Sequence, residues 1–152
     1  MISFSKGISV LELLITVAIV TLLVSISLKT FGQFFTVQSV DKEVGAVLST
    51  IAYARSQSMA GRNDTSYGVH FASTTITVFR GSTYTVSTTT NIARELSGGV
   101  VVSRLSLGAG VVDVVFGKLT GTASASGTIM ISSTRDSTQS KTITISGTGL
   151  AQ

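Results

Sequence analysis

The chain changes its hydrophobic rhythm twice. From Ile8 to Leu28 it is almost uniformly apolar, VLELLITVAIVTLLVSISL after Ile8-Ser9, with Glu12 as the only charge. Twenty-one residues at about 1.5 Å rise make roughly 31 Å of helix, close to the thickness of a bilayer's hydrocarbon core. Ser9, Thr16, Thr21, Ser25 and Ser27 interrupt the run, but hydroxyls of this kind bond back to the helix backbone and cost little. Beyond it, Phe31, Phe34, Phe35, Val37, Val40, Val44, Val47, Leu48, Ile51 and Ala54 recur at spacings of three and four. Asp41, Lys42, Glu43, Ser49, Thr50 and Arg55 fall between them, and the pattern predicts an amphipathic helix with those polar residues on its solvent side. The helix is expected to run to about Met59, with Gly61 as the residue after its C-cap.

After Asp64 the period falls to two. Alternating Thr, Ser, Val and Ile predict antiparallel strands at Tyr67–Phe71, Thr75–Arg80, Thr83–Ser87, Val100–Ser106, Val111–Phe116, Thr128–Ser132 and Lys141–Ser146. Gly81 and Gly108-Ala109-Gly110 mark turns. SSTRDSTQS, Ser132 to Ser140, reads as the polar loop of a hairpin.

Composition sharpens this picture in three ways. With 152 residues there is room for one soluble domain beside the apolar run. The mean hydropathy of +0.51, with 12% charged residues, is raised by that run. The net charge is +4, yet setting Lys6, Lys29 and Glu12 aside leaves nine bases against six acids, spread singly, with no basic cluster of the kind that grips phosphates. No cysteine is present, which excludes disulfides, thiolate zinc sites and a cysteine nucleophile.

Catalytic patterns are missing as well. In TSYGVHF, alternation puts Tyr67, Val69 and Phe71 on one face and the lone His70 with Gly68 on the other, where a surface histidine is expected rather than a member of a triad. The acids lack calcium-loop spacing, and no phosphate-binding loop is present. No enzyme activity and no cofactor is expected.

Glu12 is the anomaly, because an ionised group within hydrocarbon is expensive and marks a partner or a function. Its neighbours suggest one. Ser5-Lys6-Gly7-Ile8-Ser9-Val10-Leu11-Glu12 places a basic residue and a glycine before the apolar run, with the acid four residues after Ile8. The segment resembles the class III signal of type IV prepilins and pseudopilins. That resemblance implies cleavage after Gly7 by prepilin peptidase, with Ile8 as the new, N-methylated terminus and Lys6 as the leader charge. Gly7, lacking a Cβ, permits close approach of a peptidase to the backbone. The new amine at Ile8 and the carboxylate of Glu12 would pair between neighbouring subunits, offsetting the desolvation of both as helices stack.

Further on, IAYARSQSMAGRND at the helix end, Phe116-Gly117, Gly127-Thr128-Ile129 and the closing ITISGTG are similar to GspH/FimT-type minor pseudopilins. The resemblance implies an α+β, type IV pilin-like fold, a long N-terminal helix packed on an antiparallel β-sheet domain. The expected divisions are a leader at residues 1–7, a transmembrane and assembly helix at 8–28, its amphipathic continuation at 29–60 and a β-rich domain at 61–152. The implied function is a minor subunit of a type II secretion pseudopilus or type IV pilus. It would sit in the inner membrane with its N-terminus cytoplasmic and its C-terminal domain outside, before entering a filament. The implied partners are the peptidase, other pilin or pseudopilin subunits, the inner-membrane assembly platform and membrane lipid.

The absence of proline and cysteine departs from many major pilins and favours a minor subunit. The alternatives are a DNA-binding minor pilin and a secreted β-domain with an ordinary signal peptide cut after Ser25-Ile26-Ser27. Against the first, the tail Gly147-Thr148-Gly149-Leu150-Ala151-Gln152 has no charged side chain. Against the second, an ordinary signal's apolar core is shorter and carries no acid.

Overall fold

The computed structural model of the protein describes residues 9–152, apart from the side chains of residues 27–34 and 109. The chain is α+β. Among the described residues one α-helix, α1 (Val10–Met59), precedes seven strands in two antiparallel sheets. The chain divides into two compact units, Met1–Phe35 and Thr36–Gln152.

In the first unit the described part of α1 opens with a backbone bond from Leu13 N–H to the Ser9 carbonyl, 3.1 Å. Thr16 donates to the Leu13 carbonyl (2.9 Å), Thr21 to that of Val17 and Ser25 to that of Thr21 (both 2.8 Å). These are the back-bonds expected of hydroxyls in an apolar helix, and they leave each hydroxyl hydrogen satisfied.

In the second unit the same helix turns one stripe inward. Val40, Glu43, Val47, Ile51, Ala54 and Ser58 are all buried, at spacings of three and four. Glu43 corrects the expectation of a solvated acid: its side chain is 1% exposed. Phe35, expected on the inward side, is the last residue of the first unit and is 64% exposed. The buried stripe begins only at Val40.

The helix stops where anticipated. Gly61 takes φ 59°, ψ 26°, the left-handed conformation that glycine adopts without a Cβ clash. Its N–H bonds to the Ser58 carbonyl. Asn63 and Asp64 are also left-handed, and both residue types tolerate that region.

The first sheet has four strands: β1 (Tyr67–Phe71), β2 (Thr75–Arg80), β3 (Ile92–Glu95) and β5 (Asp113–Phe116), in the order β3-β2-β1-β5. The second has β4 (Val100–Leu107), β6 (Gly127–Ser133) and β7 (Ser140–Ile145), in the order β4-β6-β7. The β6–β7 hairpin pairs Ile129 with Ile143 and Gly127 with Ile145. In its loop Asp136 Oδ1 accepts from the Thr138 N–H (3.0 Å) and hydroxyl (2.6 Å), an Asx turn. A bulge between Val102 and Arg104 shifts the β4–β6 register.

One predicted strand is absent. Thr83–Ser87 is a loop, and β3 lies at Ile92–Glu95 instead. The alternation of TYTVS suits a strand, but Tyr84 lies flat on a histidine of β1 and Ser87 has φ 67°. The ladder resumes at Ile92, pairing Val78, and continues to Leu96 N–H with the Thr74 carbonyl. Likewise β5 begins at Asp113, two residues later than expected.

Val69, Phe71, Ile76, Val78, Val114 and Phe116 of the first sheet and Ile129, Ile131, Ile143 and Ile145 of the second close on the helical stripe in a single core. Each such side chain, fully buried, contributes about 1.5–3 kcal/mol of transfer free energy.

Candidate functional site

From Val10 to Ile26 the helix exposes large apolar side chains on all sides: Val10 is 77% exposed, Leu11 66%, Leu14 61%, Leu22 61% and Ile26 60%. A water-facing helix is polar on at least one face; this one is not. It measures roughly 25 Å at about 1.5 Å per residue. No helix among the described residues is long and apolar enough to cross a membrane. The expected span overruns those residues at both ends, since Ile8 precedes them and the side chains of Ser27 and Leu28 fall outside them.

Glu12 is an exposed residue in the first turn of α1. It is the one charged residue between Val10 and Ile26. Lys6, Gly7 and Ile8 lie outside the described residues.

Two polar clusters that the sequence did not assemble lie in the folded domain. In the first, Ser97 Oγ donates to Glu43 Oε1 at 2.5 Å, and Arg94 approaches Glu43 Oε2 at 3.5 Å. Asp41 and Lys141 form an ion pair at 3.2 Å, so two acids of α1 reach different strands, Glu43 to β3 and Asp41 to β7. In the second cluster, His70 Nδ1 sits 2.6 Å from Asp113 Oδ1, and the Tyr84 ring stacks on the imidazole with centroids 3.9 Å apart and planes 7° from parallel. Phe79 meets Tyr84 edge-on at 5.6 Å and lies over Gly68.

His70 is therefore on the face that alternation assigns it, but covered by a loop and paired with a carboxylate rather than simply solvated. The β1–β5 register, His70 opposite Asp113, makes the contact; no local sequence signal does. Among the described residues no three potential metal ligands converge.

At the end of α1, Arg55 Nε donates to the Gly121 carbonyl at 3.1 Å and Ser58 Oγ accepts from the Tyr67 N–H at 2.8 Å. Ala54 is fully buried. Arg55 thus ties the helix end to the loop before β6, and Ser58 ties it to the start of β1, while Ser56 bonds back to the Tyr53 carbonyl within the helix. Nearby, Lys118 donates to Asp64, and that bond, followed by the attraction of the ammonium, holds the Asp64 carboxyl below its ordinary value of 3.8. The Thr138 hydroxyl and N–H lower Asp136 in the same way.

No family model matches the chain, and neither does any curated protein or solved structure.

Proposed function

We propose that the protein is a pilin-like structural subunit, a minor component of a type II secretion pseudopilus or type IV pilus. The observation that carries this reading is the helix Val10–Ile26, apolar around its whole circumference, with Glu12 alone in its first turn. Such a surface needs either lipid or other helices around it, and a filament core supplies the second after a membrane has supplied the first. The β-rich unit, with its own closed core, supports the same reading because it needs nothing from that helix segment to bury its sheets.

In this reading prepilin peptidase cuts after Gly7. The Ile8 amine of one subunit meets Glu12 of the next, and each charge loses less by leaving water than it would alone. The work is mechanical: the subunit is held in lipid, lifted into the filament by the assembly platform, and presents its β domain outward.

The test replaces Glu12 by Val in the full-length chain. Membrane fractionation and cleavage are expected to match the wild type, with incorporation into sheared filaments lost. Incorporation at wild-type level would remove the role assigned to Glu12.

A further inference from the structure

The outer face of the first sheet carries an open cavity of about 460 Å³, lined by Ser82, Gly108, Val111, Asp113, Val115, Ser124 and Ala125. We propose that this cavity receives a lysine or arginine side chain from an extended segment of a partner protein, with Asp113 as its counter-charge.

The walls determine the class of ligand. Val111, Val115 and Ala125 form an apolar floor, and Asp113 supplies the one charge. An aliphatic stem ending in a cation is the complement of that arrangement, since lysine and arginine bury their methylenes while keeping the charged head among polar partners. An anion would meet repulsion from the carboxylate. A divalent metal would need ligands that do not converge among the described residues.

Asp113 is positioned for such a role. Its Oδ1 is held by His70 Nδ1, and the imidazole is clamped in turn by Tyr84, so the carboxylate has a fixed direction. Its Oδ2 has no hydrogen bond to another described residue, and the side chain is 32% exposed. Ser124 Oγ accepts from the Val115 N–H at 2.9 Å, which leaves its own hydrogen to offer a neighbouring backbone carbonyl of the guest. Ser82 comes from the loop that Tyr84 anchors, so the same stacking contact orders both a wall of the cavity and the carboxylate. The volume lies within the range of small-ligand sites and exceeds what one side chain needs, as expected if flanking peptide enters with it.

This inference does not depend on the filament reading. The test uses the full chain in detergent micelles, titrated with Nα-acetyl-lysine methylamide and, separately, with the norleucine analogue, which keeps the stem and lacks the charge. Amide shifts of Val115 and Ser124 and the ring signals of His70, the only histidine, report occupancy. The lysine probe is expected to move these signals with half-saturation on the order of 1–10 mM, at least tenfold tighter than norleucine. D113N is expected to abolish the difference. Equal response to both probes, no response to either, or an unchanged preference in a folded D113N protein would overturn the proposal. Should D113N fail to fold, the comparison of the two probes on the wild type decides alone.

Discussion

Ser97 hands its hydroxyl hydrogen to Glu43 across 2.5 Å, joining the buried face of α1 to the turn that follows β3. Glu43 is 1% exposed while its second partner, Arg94, is 39% exposed, so the carboxylate has surrendered its water and the guanidinium has kept much of its own. The fold depends on that donor because a buried carboxylate without one is costly.

Removing the donor is therefore expected to destabilise the domain. Ser97→Ala leaves Glu43 with the more distant Arg94 alone, a loss of about 1–3 kcal/mol. Urea unfolding of the full chain, followed by tyrosine fluorescence, measures it. An unchanged midpoint would mean that Arg94 or water compensates.

Gly68 is expected to tolerate no side chain. A Cβ there would stand 2.3 Å from Phe79 Cζ. Gly68→Ala must push Phe79, and with it Tyr84, off the outer face of the sheet, costing about 1–3 kcal/mol. The diagnostic is the His70 ring signal, which loses its stacking shift when Tyr84 leaves; a wild-type signal in the folded variant would contradict the packing described.

Asp64 and Lys118 give a pH prediction with a definite sign. The folded carboxyl titrates below the ordinary 3.8, first because Lys118 donates to it and then because the ammonium attracts it. A depressed acid favours the folded state at pH above its unfolded value, and that contribution disappears as pH falls through the lower folded value. Lys118→Ala is expected to raise the Asp64 titration midpoint toward 3.8, read by carboxyl carbon NMR. No movement would show that the pair does not form in solution. Because Asp64 is exposed, the thermal midpoint at neutral pH is expected to change little.

Much of the domain was legible from period alone. Tyr67–Phe71 and Thr75–Arg80 begin and end where alternation places them, and Gly61 takes the left-handed cap that a helix end of this type asks for. The misreadings share a cause. Glu43 occupies a position that the stripe Val40, Val47, Ile51 points inward, but Asp41-Lys42-Glu43 reads as a solvated triplet; only the arrival of Ser97 and Arg94 from more than fifty residues away makes burial possible. Thr83–Ser87 has strand composition, and the contact of Tyr84 with His70 across the sheet outweighs it. Ile92–Glu95 carries little strand signal and is recruited by the free edge of β2. Of the proposed assembly residues, Glu12 is set apart by its chemistry, the one charge in an apolar run, whereas Lys6, Gly7 and Ile8 lie outside the described residues, and their proposed role as a recognition sequence rests on the sequence alone.

The mass of the mature protein tests the central claim most directly. Intact-mass measurement and N-terminal sequencing of protein purified from the cells that make it are predicted to give a chain beginning at Ile8 and bearing one added methyl group. A chain that keeps Met1 to Gly7, or one that starts at Leu28, would contradict the account: in the first Glu12 has no newly made amine to meet, and in the second Glu12 itself has been removed.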